Sequence, residues 1–182
     1  MSEHSSMEEY IVSGTALNEN EAKITVNDIP NRPGVAGLLF SALAARTINV
    51  DMIVQSSSTE GINSISFTVD KTSLSEAREI LEHLRDQLNY REVAYDDAVS
   101  KVSIVGAGMR SHPGVAARMF SCLGRLGINI DIISTSEIKI SCIVSSDDGA
   151  RAVRAIHGEF HLGSTPETTD SAGSGSETRT ET

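Results

Sequence analysis

Two sets of residues in this chain could hold a small charged ligand, and they repeat. The first is Pro33-Gly34-Val35-Ala36, followed by Asn49-Val50-Asp51. The second is Pro113-Gly114-Val115-Ala116, followed by Asn129-Ile130-Asp131. Proline suits the first position of a helix, where its missing N–H costs nothing. A helix start exposes unpaired N–H groups and a partial positive charge, so it favours a carboxylate or phosphate. Gly34 and Gly114 carry no side chain, so a ligand can approach the backbone closely. An amide and a carboxylate at the next strand, Asn49/Asp51 or Asn129/Asp131, could hold an ammonium group. One end for an anion and one for a cation describe a free α-amino acid.

The elements around these residues recur as well. Residues 33–56 match residues 113–136 at 12 of 24 positions with a fixed offset of 80. KITVNDIPNR (23–32) sits over KVSIVGAGMRSH (101–112). Such self-similarity means one supersecondary unit used twice. In the first copy, 23–27 alternates as a strand, 28–32 is a loop, and 33–46 carries apolar stripes at helical spacing. Residues 48–54 read as a buried strand, and 64–70 place Ile65, Phe67 and Val69 at period two. Ser73 and Glu76 have the spacing of a capping box opening a second helix. Residues 90–95 close the unit. The order β-α-β-β-α-β, with helices on one face of an antiparallel sheet, is a ferredoxin-like α+β sandwich.

The second copy follows the same order: strand 101–105, helix 113–126 ended by Gly127, strand 128–133, strand 138–144 and helix 147–160. It has no closing strand of its own. Residues 10–17 precede the first copy and resemble the strand that precedes the second, so 10–17 is expected to complete the second sheet. The expected organisation is therefore 1–9 disordered, 10–17 the exchanged strand, 22–95 the first domain, 98–162 the second, and 163–182 a disordered acidic tail.

Composition bounds the function. The chain has 182 residues and a net charge of −10, which argues against a nucleic-acid or anionic-membrane surface. No run of 18 apolar residues suggests a membrane span. The acidic N-terminus is unlike a secretory signal, and two cysteines make no disulfide framework; the expectation is a cytoplasmic protein with buried, inert Cys122 and Cys142. His157 and His161 lack a third metal ligand, Asp96-Asp97 reads as a solvated loop pair, and no nucleophile–base pattern occurs. No catalytic residue and no metal site is assigned.

The blocks KITVNDIPNRPGVA, INVDMIVQSSS, KVSIVGAGMRSHPGV and ISTSEIKIS, with the ending RAVRAIHGEFHL, resemble a tandem pair of ACT domains, and more closely the regulatory region of bacterial aspartate kinase. The resemblance covers about residues 12–162. It implies a feedback-sensing subunit or region that binds threonine, lysine or both between ACT domains. The inhibited step would be phosphorylation of L-aspartate by ATP to 4-phospho-L-aspartate, which opens lysine, threonine and methionine biosynthesis. Carried over by match, one site uses Asn31, Arg32, Pro33, Gly34, Val35, Ala36, Asn49, Val50, Asp51 and Gln55. The other uses Val115, Ala116, Asn129, Ile130, Ser136 and Glu137. Gln55 would bond a threonine hydroxyl and Glu137 would face a lysine ammonium. The implied partners are the catalytic α subunit, a second copy of this chain, or both, as in α2β2 assemblies. Nothing here matches the kinase phosphate motif, and no G-x-x-x-x-G-K occurs, so ATP would belong to the catalytic partner and no cofactor is expected in this chain. The alternative is an ACT sensor serving another enzyme, such as the valine-responsive regulatory subunit of acetolactate synthase. A third reading is a piece of a longer kinase.

Overall fold

Two strands much longer than the repeat requires organise the molecule. The computed structural model describes residues 12–57, 61–107 and 114–163. The terminal segments expected to be disordered, Tyr10 and Ile11 of the exchanged strand, and His112 and Pro113 lie outside these. Strand β1 spans Val12–Pro30 and β4 spans Glu92–Gly106. Between them lie α1 (Val35–Ala45), β2 (Val50–Ser57), β3 (Ile62–Asp70), a 3-10 turn (Lys71–Ser73), α2 (Leu74–His83) and the short α3 (Arg85–Leu88). After β4 come α4 (Val115–Arg125), β5 (Ile132–Thr135), β6 (Lys139–Ser145) and α5 (Ser146–Glu159). All six strands form one antiparallel sheet in the order β2-β3-β1-β4-β6-β5.

The expected strand exchange is present. The first part of β1 pairs with the last part of β4, from Val12↔Gly106 to Asn18↔Lys101, and so completes the second copy's sheet. The rest of β1 pairs with β3 and with the start of β4, including Ile24↔Tyr95 and Val26↔Val93. The β1–β4 register shifts between Asn18 and Glu21 and again between Glu21 and Lys23. Bulges re-aim side chains. Here they let Leu17 pack on the second core while Ala22, Ile24 and Val26 fill the first. The second core thus needs a strand segment that precedes the first unit in sequence, while the first core is built from residues 22–95.

Several local expectations change. The segment 28–32, read as a loop, is strand as far as Pro30. A register irregularity between Val26 and Ile29, with Asp28 at φ 54, turns Ile29 into the core. The expected capping box does not form. Ser73 is already helical at φ −90, ψ −6 because the 3-10 turn precedes it, and its side chain makes no cap bond. Glu76 instead pairs with Arg46 of α1 at 3.3 Å. Gly127, at φ 68, does end the helix before it.

The sheet face beneath the helices holds the two main cores. In the first, the ring of Phe40 on α1 meets the edge of Phe67 on β3 with centroids 5.4 Å apart. In the second, Met119 and Leu123 of α4 and Ile156 of α5 meet Ile104 and Cys142 of the sheet. A third cluster, Met52, Val99, Ile132 and Ile143, takes one side chain from each of β2, β4, β5 and β6, and so joins the copies.

Charged side chains join them a second time, reciprocally. Lys101 of the second copy binds Asp51 of the first, and Lys23 of the first binds Asp131 of the second. Lys23 and Lys101 occupy matching positions in the repeat, as do Asp51 and Asp131. Lys101 also reaches the buried Glu21 at 2.5 Å. Burial alone would lower the Lys101 pKa, but the two carboxylates outweigh it and hold the ammonium above its ordinary value. Among the described residues, no helix is long and apolar enough to cross a membrane.

Candidate functional site

The turn between β1 and α1 closes over the end of β2 and β3. Gly34 stands at the helix N-cap with φ 90, in the left-handed region that an L side chain resists. Gly114 occupies the same place in the second copy at φ 116. An ideal Cβ on Gly34 would meet nothing within 4 Å, so glycine is required there for its backbone angle and not for space.

Beneath the turn lies a cavity of about 110 Å3. One wall is the turn and the first helical residues, Asn31, Arg32, Gly34, Val35, Ala36 and Gly37. The opposite wall is Gln55 from β2 with Asn63 and Ile65 from β3. Ala36 and Gly37 lie in the first turn of α1, where N–H groups have no acceptor within the helix. The turn is braced from outside: the Asn31 N–H donates to the Gly61 carbonyl at 2.9 Å, and Arg32 Nη2 donates to the Gln87 carbonyl at 2.8 Å. Such a cavity offers donors and a positive helix end on one side and carboxamides on the other. It suits a small molecule bearing a carboxylate and a short polar side chain.

The structure brings together Asn31, Arg32, Gly34, Val35, Ala36 and Gln55 of the expected first site. Pro33 is exposed beside them. Asn49, Val50 and Asp51 are elsewhere, at the beginning of β2. Asp51 and Gln55 are four positions apart along β2, about 13 Å at ~3.3 Å per residue. Within this chain Asp51 holds Lys101 and does not line the cavity.

In the second copy, Val115 is buried in the core, and Ala116 and Ile130 pack against it. Asn129 is exposed near the start of β5. The Ser136 hydroxyl organises the β5–β6 turn, accepting from the N–H groups of Ile138 (3.4 Å) and Lys139 (3.1 Å). Glu137 is exposed in that turn. The loop before Gly114 lies outside the described residues. Among the described residues, no cluster of three metal-ligating side chains occurs. Both cysteines are buried; burial pushes the Cys142 thiol up to about 12 and also raises that of Cys122.

Asn63 escaped the sequence reading. Its signal was a polar residue two positions before Ile65, on the inward parity of β3. The Lys–Asp pairs escaped too, because each joins residues of different copies.

Comparison with known proteins places these features. A model of the ACT domain matches residues 24–84 and 102–160. The aspartokinase of Corynebacterium glutamicum is 46% identical over 171 residues, 93% of this chain and 41% of that protein. The aspartokinase of Corynebacterium efficiens is 44% identical with the same coverage. The chain thus spans about two-fifths of the length of these relatives. Among solved structures, one of aspartokinase alpha and beta subunits contains a chain 43% identical, with a TM-score of 0.78, covering 83% of this chain and 99% of that one. The ligand-free regulatory subunit of aspartate kinase from Thermus thermophilus is 40% identical, with a TM-score of 0.79, covering 82% and 99%.

Proposed function

The chain belongs to the ACT-domain family, as a tandem pair of the aspartokinase regulatory type, and from that premise we propose that it is a feedback sensor binding L-threonine, L-lysine or both. The observation that carries this reading is the first-copy cavity, with helix-start N–H groups facing the amides of Gln55 and Asn63. In the proposed mode the effector carboxylate takes the N–H groups of Ala36 and Gly37, and Gln55 meets the side chain. The effector lies between ACT domains. The ammonium is then met by Asn49 and Asp51 of a neighbouring domain, because Asp51 of the same copy is too far along β2. The second site would use Val115, Ala116, Asn129, Ile130, Ser136 and Glu137 in the same way, with Glu137 toward a lysine ammonium.

The proposed partner is an aspartokinase catalytic subunit, a second copy of this chain, or both. The partner supplies ATP binding and the transfer of phosphate to L-aspartate, and this chain supplies inhibition. Effectors inhibit by binding one arrangement of subunits better than another. The test is reconstitution of the chain with an aspartokinase catalytic subunit. Threonine and lysine should lower phosphorylation of L-aspartate only when the chain is present. Inhibition unchanged by its omission would contradict the reading.

A further inference from the structure

Asn63 is a polar side chain only 4% exposed, set in the strand that otherwise turns Ile65, Phe67 and Val69 into the core. A buried carboxamide must satisfy both its ends. The two ends of an amide are told apart by their partners. With its nitrogen toward the carbonyls of Ile62 (3.1 Å) and Ser56 (3.3 Å), Asn63 donates twice; its oxygen then accepts from Gln55 Nε2 at 2.6 Å and lies 3.1 Å from the Asn31 Oδ1 position, which an Asn31 amide turned the same way fills with its nitrogen. The reverse orientation would set the Asn63 oxygen against both main-chain carbonyls and its nitrogen against Gln55 Nε2. Gln55 therefore has its nitrogen committed to Asn63, and its oxygen is the end left to meet a ligand.

An acceptor fixed in this way distinguishes a hydroxyl from a methyl of the same size. The second copy lacks the device. Aligning the hairpins through Ile53↔Phe67 and Ile133↔Cys142 puts Thr135 where the first copy has Gln55, and Ile138, 61% exposed, where it has Asn63. We propose that Asn63 is a positioning residue that fixes Gln55 as a hydrogen-bond acceptor, so that the first-copy cavity selects a small hydroxyl-bearing amino acid over its methyl isostere.

This inference rests on the amino-acid-sensing reading and deepens it. The test is calorimetric titration of the full chain with L-threonine and with L-valine, its isostere. The wild-type chain should prefer threonine at least about tenfold, the worth of one well-made hydrogen bond. Asn63→Leu should bring that ratio close to one by weakening threonine and leaving valine nearly unchanged. Asn63→Ser, too short to reach Gln55, should do the same and serves if the leucine variant does not fold. In a Gln55→Met background, the Asn63 substitution should have no further effect on the ratio. A ratio unchanged in both Asn63 variants, or an equal loss for both ligands, would overturn the inference while leaving the sensor reading intact. No binding of either amino acid to the wild-type chain would overturn the first-copy sensor site itself, and the inference with it.

Discussion

The two copies share a scaffold and differ around the proposed ligand sites. Each starts its first helix on a positive-φ glycine, Gly34 or Gly114. Each bends its long strand with an Asx turn: Asn18 Oδ1 accepts from the Asn20 N–H and Asp96 Oδ1 from the Ala98 N–H, both at 2.9 Å. Each pairs hydroxyls across strands, Thr25 with Ser66 at 3.0 Å and Ser103 with Ser141 at 2.7 Å. Each lends a lysine to the other's aspartate. Against this, Gln55 and Asn63 stand where the second copy has Thr135 and Ile138, Glu21 where it has Val99, and Ala22 where it has Ser100. The repeat keeps what holds the sheet together and varies what lines the first-copy cavity or the junction, as expected if two pockets on one frame serve different side chains.

The exchange of strands gives the largest expected effect. Leu39→Ala in the first core and Leu123→Ala in the second each remove a fully buried side chain. Each should cost about 2–5 kcal/mol. Because β1 and β4 run through both cores, either change should lower the midpoint of one shared thermal transition. Two separate transitions would break the comparison and make the copies independent domains.

The junction should respond unequally. Lys101 alone neutralises Glu21, whose side chain is 4% exposed, as well as holding Asp51. Lys101→Met should therefore cost about 3 kcal/mol, the penalty for stranding a buried charge. The matching Lys23→Met, against an Asp131 side chain 34% exposed, should cost less than about 1 kcal/mol. Urea unfolding of the two variants measures the difference, and equal costs would contradict it. The pH dependence has a definite sign. The Lys101 pKa is raised in the folded chain, so its contribution is complete below the ordinary lysine value and is lost as pH rises through the higher folded value. The wild-type chain should lose stability in that alkaline range more steeply than Lys101→Met.

A stabilising change tests the least symmetric core position. Among the described residues the buried Ser100 hydroxyl has no hydrogen-bond partner, where the first copy has Ala22. Ser100→Ala should raise stability by about 1 kcal/mol. The helix above it comes so close that a Cβ on Gly149 would sit 2.9 Å from the Ser100 Cβ. Gly149→Ala should destabilise by about 1–3 kcal/mol, since neither backbone can yield cheaply.

Most of the fold was legible because its signals are local and doubled. The 80-residue offset gave the two units, and the second copy's lack of a closing strand, with the likeness of 10–17 to the strand before that copy, gave the exchange. What stayed hidden depends on partners distant in sequence. Ser73 and Glu76 have capping spacing, yet the turn begun at Lys71 puts Ser73 in a helical conformation and Arg46 takes Glu76. Asp51 shows nothing of its tie to Lys101, which lies 50 residues further along the chain. Asn63 looks like strand punctuation until Gln55 and the helix start close over it. The loop of the first candidate site could be read from the repeat and Gln55 from the family resemblance; their separation from residues 49–51 could not, because it follows from the length of β2.

The central claim is that this tandem pair binds effector amino acids. Isothermal titration of the purified chain with L-threonine and L-lysine, with L-valine as control, tests it most directly. The account predicts saturable heat with threonine or lysine, lost for threonine in Gln55→Ala. Saturable binding of valine alone, with none for threonine or lysine, would contradict it.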